Sequence, residues 1–228
     1  MKRSEINRAM KDALHLFETY RFALPPFALW TPEEWAQKGE ECREICDNML
    51  GWDITDFGRG DFEKTGLLLI TLRNGNQKKP KQYPKPYAEK IMVVKEDQVT
   101  PMHFHWVKSE DIINRGGGNL LIQLYNSTPD EKLADTDVEI VTDGVKRRLP
   151  AGSVLRLTPG ESVTFTRGIY HKFWGEKGCG TVLVGEVSMC NDDENDNRFY
   201  EPTGRFPEVE EDEKPLFLLC SEYEKVKK

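Results

Sequence analysis

The chain has 228 residues and a formal net charge of −7, with 38% hydrophobic and 31% charged residues. This length can bury a sizeable core in one large domain, and the composition excludes disordered and fibrous proteins. The acidic balance opposes the basic surface that nucleic-acid binding needs, so we expect no nucleic-acid partner. No stretch approaches the ~20 consecutive apolar residues that cross a bilayer, so we expect no membrane partner.

The cysteines and the first residues bear on location. The five cysteines are odd in number and scattered, and they form no CxxC pair. This pattern argues against a disulfide framework and against a cysteine zinc site. The start of the chain, MKRSEINRAMKDALHLF, carries charges where a signal peptide needs an uninterrupted apolar run. We therefore expect a soluble, cytoplasmic protein.

Two helices are predicted near the start of the chain. Residues 4–21 carry apolar side chains at three- and four-residue spacing, which is typical of an amphipathic helix. Thr31 begins a capping-box signal, Thr-Pro-Glu-Glu, for a second helix that we expect to end at Gly51. Together they predict a helical extension over residues 1–60 that packs on the rest of the domain.

From about residue 66 the chain changes to short runs of β-forming residues between turn signals. Asp143-Gly144 is a strong two-residue hairpin signal. Many short strands without alternating helices predict an antiparallel sandwich or barrel, here over residues 61–200. An acidic, solvated tail region follows at 201–228. The predicted strands are 66–72, 89–94, 99–106, 119–125, 137–142, 145–149, 153–158, 161–166, 171–176 and 181–189.

Three histidines of the β region have a spacing that suits metal binding. His103 and His105 are two residues apart in a predicted strand, so both imidazoles lie on one face. Glu110 follows just past the expected end of that strand, and His171 opens a distant strand. Three neutral imidazoles and one carboxylate suit a divalent ion such as Mn, Fe, Co or Ni, whereas structural zinc usually has cysteine ligands. A His-x-His pair alone is often only two histidines that lie on the surface or are satisfied by other hydrogen-bond partners. The spacing of the other candidate ligands must therefore decide whether the pair binds a metal.

That wider spacing resembles the two signature motifs of the cupin superfamily. The residues that carry the likeness are His103, His105, Glu110 and Gly117 in the first motif, and Gly160, Thr166, Gly168 and His171 in the second. Three positions depart from the pattern: Asp97 stands where glycine is expected, Thr166 where proline is expected, and Gly175 where asparagine is expected. None of the three is a ligand position. The likeness implies a mainly β fold, a cupin-like antiparallel β-barrel or jelly roll with the helical N-terminal extension.

Further features resemble the bacterial D-lyxose isomerases over essentially the whole chain, read as a single cupin-type domain. They are the run at 108–118, the two-helix extension, His-Phe-His-Trp, and Gly-Glu-Val-Ser-x-x-Asn-Asp-Asp at 185–193. The resemblance implies an enzyme that interconverts D-lyxose and D-xylulose, and often D-mannose and D-fructose. It implies that His103, His105, Glu110 and His171 hold a divalent ion, usually Mn²⁺, with Fe, Co, Ni or Zn as alternatives. It also suggests a homodimer.

Moving hydrogen between C1 and C2 of a sugar requires a Lewis acid and a proton shuttle. We predict Glu186 as the shuttle because its charge stands within an apolar strand. The expected route is a cis-enediol, with a hydride shift between the carbons as the alternative. Lys108 is predicted to exchange a proton with the sugar oxygens. The alternatives are a surface carboxylate on the strand for Glu186 and a surface loop lysine for Lys108.

Five more residues are candidate substrate contacts: Lys90, Asp193, Arg198, Trp106 and Phe104. Lys90 interrupts an apolar strand, and the two aromatic residues neighbour the histidines, where a core role is the alternative. The other two belong to a polar loop that could equally be solvated. Two further functions stay open, a cupin dioxygenase with iron in the same four-ligand site and a sugar-binding cupin without turnover.

Overall fold

Thirteen β-strands and four α-helices form the part of the chain that the computed structural model describes, which is residues 1–193, 195–204 and 207–226. The helices are α1 (Arg3–Thr19), α2 (Pro32–Trp35), α3 (Arg43–Asp47) and α4 (Tyr223–Val226). The strands are β1 (Gly51–Thr55), β2 (Leu67–Arg73), β3 (Tyr87–Val94), β4 (Thr100–Phe104), β5 (Glu110–Gly117), β6 (Leu120–Asn126), β7 (Val138–Thr142), β8 (Val145–Leu149), β9 (Val154–Leu157), β10 (Ser162–Phe165), β11 (Ile169–Gly175), β12 (Val182–Met189) and β13 (Arg198–Phe199). Among the helices of these residues, none has both the length and the apolar character needed to cross a bilayer.

Two antiparallel sheets form the body of the protein. The larger has the strand order β1-β2-β3-β12-β5-β10-β7-β8, and the smaller has the order β13-β4-β11-β6-β9. Their inner faces enclose buried apolar side chains that include Met92, Ile112, Leu124, Phe165 and Val184. Burial of apolar surface, at about 25 cal/mol per Å², is the main term that holds two such sheets face to face. The predicted mainly β, cupin-like barrel with an N-terminal helix is confirmed.

Helix α1 covers the outer face of the larger sheet. Its buried stripe includes Ile6, Met10 and Phe17, which belong to the same apolar cluster as Ile70 and Ile91 of the sheet. β2 is therefore buried on both faces, and a strand in that position needs no polar alternation. This explains its unbroken run LLLITL. The same layer supports β3 and β12, the strands that carry part of the site described below.

The predicted second helix is wrong in its length. Its capping box is present, since Thr31 Oγ1 accepts a hydrogen bond from the Glu34 amide at 3.2 Å. However, α2 ends after one turn, and α3 is a separate short helix. Gly51 does not end a helix but begins β1, with φ at +103° and with the Tyr223 hydroxyl 2.0 Å from where a Cβ atom would stand. The predicted helical extension over 1–60 therefore contains a strand of the barrel sheet.

The sequence patterns do not predict β5, which lies between β12 and β10 at the centre of the larger sheet. The buried positions of this strand alternate as a strand requires, but they include Glu110 and Asn114. Asn114 is fully buried. Its side-chain amide offsets the cost of burial by donating hydrogen bonds to the carbonyls of Gly118 and Leu157, at 2.9 and 3.0 Å. Polar side chains at inward positions hide the periodicity that normally reveals a strand.

Two of the departures from the cupin pattern lie against each other. Asp97 has φ at +56°, the left-handed conformation that explains why glycine is expected there and that aspartate tolerates. Its amide donates to the Gly175 carbonyl at 2.9 Å. A Cβ atom at Gly175 would lie 2.6 Å from the Lys95 carbonyl oxygen, so this turn packs closely on β11.

The predicted tail region is solvated only in part. Residues 207–215 are largely exposed, but 216–223 are mostly buried and join the layer around α1. Arg3 of α1 is buried and forms ion pairs with Glu211 and Glu222, at 2.7 and 2.5 Å. The acidic residues of this region therefore attach the C-terminal segment to the first helix.

Candidate active site

The four predicted metal ligands meet in one buried cavity between the two sheets. His103 on β4 lies opposite His171 on β11 in the strand register, His105 follows β4, and Glu110 begins β5. The ligand nitrogens of the three histidines all lie within 4.8 Å of one another. The Nε2 atoms of His105 and His171 lie 3.4 and 3.1 Å from Glu110 Oε1.

Backbone carbonyls set the orientation of all three imidazole rings. The Nδ1 atoms of His103 and His171 lie 2.8 and 3.0 Å from the carbonyl oxygens of Pro101 and Ile169, two residues earlier in each case. A carbonyl oxygen only accepts hydrogen bonds, so Nδ1 carries the proton and Nε2 keeps its lone pair. The Nδ1 atom of His105 lies 2.8 Å from the carbonyl oxygen of Asp196, which is distant in the chain and orients this ring in the same way. Three Nε2 lone pairs thus face a common point, the usual arrangement behind histidine metal ligands.

The donor set fits a divalent cation. His171 Nε2 is buried and has no hydrogen-bond partner among the described residues. Burial, together with the neighbouring imidazoles, holds the pKa of His103 well below its ordinary value, so this ring stays neutral. Neutral imidazole lone pairs pointing at a carboxylate need a cation between them, and three nitrogens with one oxygen suit Mn, Fe, Co, Ni or Zn. The residues that could hold it are His103, His105, Glu110 and His171.

Lys108 joins this group to a second carboxylate. Its Nζ atom lies 2.7 Å from Glu110 Oε2 and 2.8 Å from Glu186 Oε1, and all three side chains are buried. Burial alone would lower the pKa of Lys108, but the two carboxylates raise it, so the side chain is an ammonium. Burial would likewise raise the pKa of Glu186, but Lys108 and Lys90 hold it below its ordinary value. Both groups are charged at neutral pH.

The sheet register places Lys90 directly beside Glu186. Glu186 of β12 pairs with Lys90 of β3 on one side and with Ile112 of β5 on the other. Lys90 Nζ lies 3.5 Å from Glu186 Oε1 and 2.6 Å from Asn191 Oδ1. Asp193, another predicted substrate contact, also lines the cavity. A candidate metal centre therefore lies next to the Glu186 carboxylate and the side chains of Lys90 and Lys108. These are the groups that metal-assisted proton transfer requires.

Comparison with known proteins agrees with this chemistry. The family model described as D-lyxose isomerase matches residues 1–223. The chain belongs to the D-lyxose isomerase family. The D-lyxose/D-mannose isomerase of Serratia proteamaculans is 53% identical over 224 residues, covering 98% of both chains. That of Escherichia coli O157:H7 is 51% identical with the same coverage. This member of the family is an aldose–ketose isomerase, as the sequence resemblance predicts.

Solved structures with low sequence identity share the fold. An L-ribose isomerase from Cellulomonas parahominis superposes with a TM-score of 0.60 at 16% identity, covering 92% of this chain and 98% of that one. An L-ribose isomerase from Geodermatophilus obscurus gives a TM-score of 0.56 at 15% identity, covering 87% and 92%. The two-sheet architecture is therefore one that these enzymes have in common with the D-lyxose isomerase family.

Three of the predicted substrate contacts lie outside the described wall of the cavity. Phe104 alternates with the histidines on β4, so it faces away from them and packs edge-on against Tyr170, with 4.8 Å between ring centroids. Trp106 is 43% exposed. Arg198 pairs with Glu131 through Nε at 2.6 Å. These three side chains therefore do not line the candidate active site.

Two functional candidates near the candidate metal site are absent from the sequence predictions. Asp196 is buried, its carboxylate accepts from the amides of Val107 and Lys108 at 2.7 and 2.9 Å, and its carbonyl lies 2.8 Å from His105 Nδ1. Phe199 stacks on His103, with 5.2 Å between ring centroids. Asp196 stands among several acidic and amide residues in one loop, and the sequence pattern gives no means of choosing among them.

Proposed function

We propose that this isomerase interconverts D-lyxose with D-xylulose and D-mannose with D-fructose, using a divalent metal ion. His103, His105, Glu110 and His171 would hold the ion, with Mn²⁺ the first choice and Fe, Co, Ni or Zn the alternatives. The names of the two relatives that are more than half identical support the sugars, and the orientation of the imidazoles supports the metal. When bound, the ion would act as a Lewis acid that polarises the sugar carbonyl.

The chain's own residues supply the proton transfer. The Glu186 carboxylate takes the proton from C2 of the aldose and returns it to C1 of the resulting cis-enediol, which yields the ketose. The Lys108 ammonium donates a proton to O1 as the enediol forms, and it takes the proton of the O2 hydroxyl as the ketose forms. The net result is that a hydroxyl proton moves from O2 to O1. Lys90 and Asp193 are proposed to bind the sugar hydroxyls. The surrounding apolar wall, which includes Phe57, Leu69, Met92 and Phe173, excludes water from the reacting carbons.

One observation carries this proposal: the Lys108 ammonium lies within 2.8 Å of both Glu110 and Glu186. It links the carboxylate of the candidate metal site to the carboxylate proposed as the base. A site for metal binding alone would not need a second buried carboxylate with two lysines, because each buried charge is costly unless it is paired. The geometry therefore favours turnover over simple binding.

The test is ketose formation from D-lyxose and D-mannose by protein that is stripped with a chelator and then reloaded with Mn²⁺. We expect no turnover by the stripped protein and full turnover after reloading, equal with and without oxygen. Oxygen consumption coupled to turnover would indicate the dioxygenase alternative. Sugar binding without ketose formation under any metal would indicate the binding-module alternative. The homodimer and the cytoplasmic location stay predictions, and light scattering checks the first.

A further inference from the structure

The side chain of Asn191 lies beside both lysines of the active site. The residue follows β12, and its side-chain Oδ1 accepts a hydrogen bond from Lys90 Nζ at 2.6 Å. The same oxygen lies 3.5 Å from Lys108 Nζ. An amide oxygen is a neutral acceptor, so it orients an ammonium group without adding a negative charge beside the carboxylates.

A second asparagine fixes the main chain of Asn191. Asn74 Oδ1 accepts from the Asn191 amide at 2.9 Å, and Asn74 Nδ2 donates to the Asn191 carbonyl at 3.1 Å. Asn74 is itself buried and exchanges hydrogen bonds with Asn48, whose Nδ2 donates to the Asn74 carbonyl at 3.1 Å. Because both polar groups of its backbone are held, the Asn191 side chain extends from a fixed point of the main chain.

This arrangement matters for the distance between Lys90 and Glu186. Lys90 Nζ is 3.5 Å from Glu186 Oε1, at the long end of an ion pair, whereas its contact with Asn191 is short. Without the amide oxygen, the buried Lys90 ammonium would turn fully onto Glu186 to regain a close partner. The Glu186 carboxylate would then be held by two lysines, and Lys90 would no longer be available to bind the substrate.

We propose that Asn191 is a positioning residue that keeps Lys90 facing the cavity and short of a full ion pair with Glu186. Asn74 acts behind it by fixing its backbone. The inference rests on the proposed function of Glu186 as the proton-transfer group. It adds that the correct placement of Lys90 depends on a side chain outside the metal site.

The test is a double-mutant cycle of Asn191→Ala with Lys90→Met, measured as kcat and KM for D-lyxose. Asn191→Ala alone is expected to lower kcat/KM about tenfold, the effect of one lost buried hydrogen bond to a charge, with bound metal and Tm unchanged. In the Lys90→Met background the same substitution should have no further effect, because the group that it positions is gone. Equal losses in both backgrounds, or no loss in the first, would overturn the proposal.

Two more variants complete the design. Asn191→Gln keeps a neutral amide oxygen for Lys90 and should recover part of the activity that Asn191→Ala loses; an equal loss in both contradicts the positioning role. Asn195→Ala removes an amide from the same loop, where its partner is the Asp192 carboxylate, and should leave kcat/KM unchanged. A wild type that converts neither sugar would contradict the proposed function itself, whereas additive losses in an active wild type contradict only the role of Asn191.

Discussion

The two walls of the cavity come from different sheets and carry different chemistry. β4 and β11 of the smaller sheet present the imidazoles of His103 and His171, whereas β3, β5 and β12 of the larger sheet present the charged groups. Each of these imidazoles is oriented by a carbonyl two residues earlier in its own strand. The Glu186 carboxylate is instead held by side chains far away in the chain, those of Lys90 and Lys108.

This difference shows which part of an active site is local in the sequence. The imidazole wall is set by short-range geometry, so a motif of a few residues specifies it. The charged wall exists only after the larger sheet has assembled, because its groups neutralise one another across β3, β5 and β12. Substitutions in the first wall should therefore act on the metal. In the second wall, substitutions of Glu110 should also act on the metal, whereas those of Lys108 and Glu186 should act on turnover and stability.

The largest expected effect is in the imidazole wall. His171→Ala or His103→Ala removes one of the converging nitrogens, so we expect bound metal and ketose formation to be lost together, activity falling to the background rate. Metal analysis after dialysis and a ketose assay check this. His15 on the exposed face of α1 is the matched control, and His15→Ala should retain both metal and activity. Full metal binding by His171→Ala would contradict the assigned ligand set.

The next effect is in the charged wall. Glu186→Gln keeps the shape of the side chain but cannot take up a proton, so kcat should fall about 1,000-fold. Bound metal should be unchanged, because Glu186 is not among the proposed ligands. Glu139→Gln on the exposed face of β7 is the control and should behave as wild type. A Glu186→Gln variant with normal kcat would show that another group carries the proton.

Removing the link between the carboxylates should lower stability. Lys108→Met leaves Glu110 and Glu186 buried without their shared cation, and we expect metal-free protein to lose about 3 kcal/mol of unfolding free energy at neutral pH. Lys108 depresses the pKa of both carboxylates, so its contribution is present above their ordinary pKa values and is lost as they become protonated. The difference from wild type should therefore shrink as the pH falls.

Urea unfolding of both proteins at several pH values measures that difference. Lys146→Met on the exposed strand β8 removes a lysine from the surface and should change stability little. A destabilisation that stays constant down to pH 3 would mean that Lys108 acts through packing and not through charge.

The smallest expected effect concerns the loop that supports both walls. Asp196→Asn weakens the acceptor for the amides of Val107 and Lys108, although the carbonyl that orients His105 remains. We expect metal affinity to fall about tenfold, the usual size of an effect on groups behind metal ligands. Competition with a metal-binding dye measures the affinity, and Asp135→Asn at an exposed position is the control. An unchanged affinity would show that the Asp196 carboxylate does not support the metal ligands.

The same contrast explains what the sequence could predict. The barrel, the first helix and the meeting of His103, His105, Glu110 and His171 follow from periodicity and motif spacing. β5 was hidden because Glu110 and Asn114 occupy inward positions, where a pattern search expects apolar residues. Asn191 and Asp196 could not be chosen in advance, because their contacts join segments that are distant in the chain and nothing local marks them.

The most direct test of the central claim is isomerisation of D-lyxose in deuterium oxide, followed by NMR at C1 and C2. If Glu186 moves a proton through a cis-enediol, deuterium from the solvent will appear at C2 of recovered D-lyxose and at C1 of D-xylulose after many turnovers. Glu186→Gln should show neither conversion nor exchange at the wild-type rate. Full conversion by the wild type without deuterium in either sugar, together with normal turnover by Glu186→Gln, would mean direct hydride transfer between the carbons and would contradict the role assigned to Glu186.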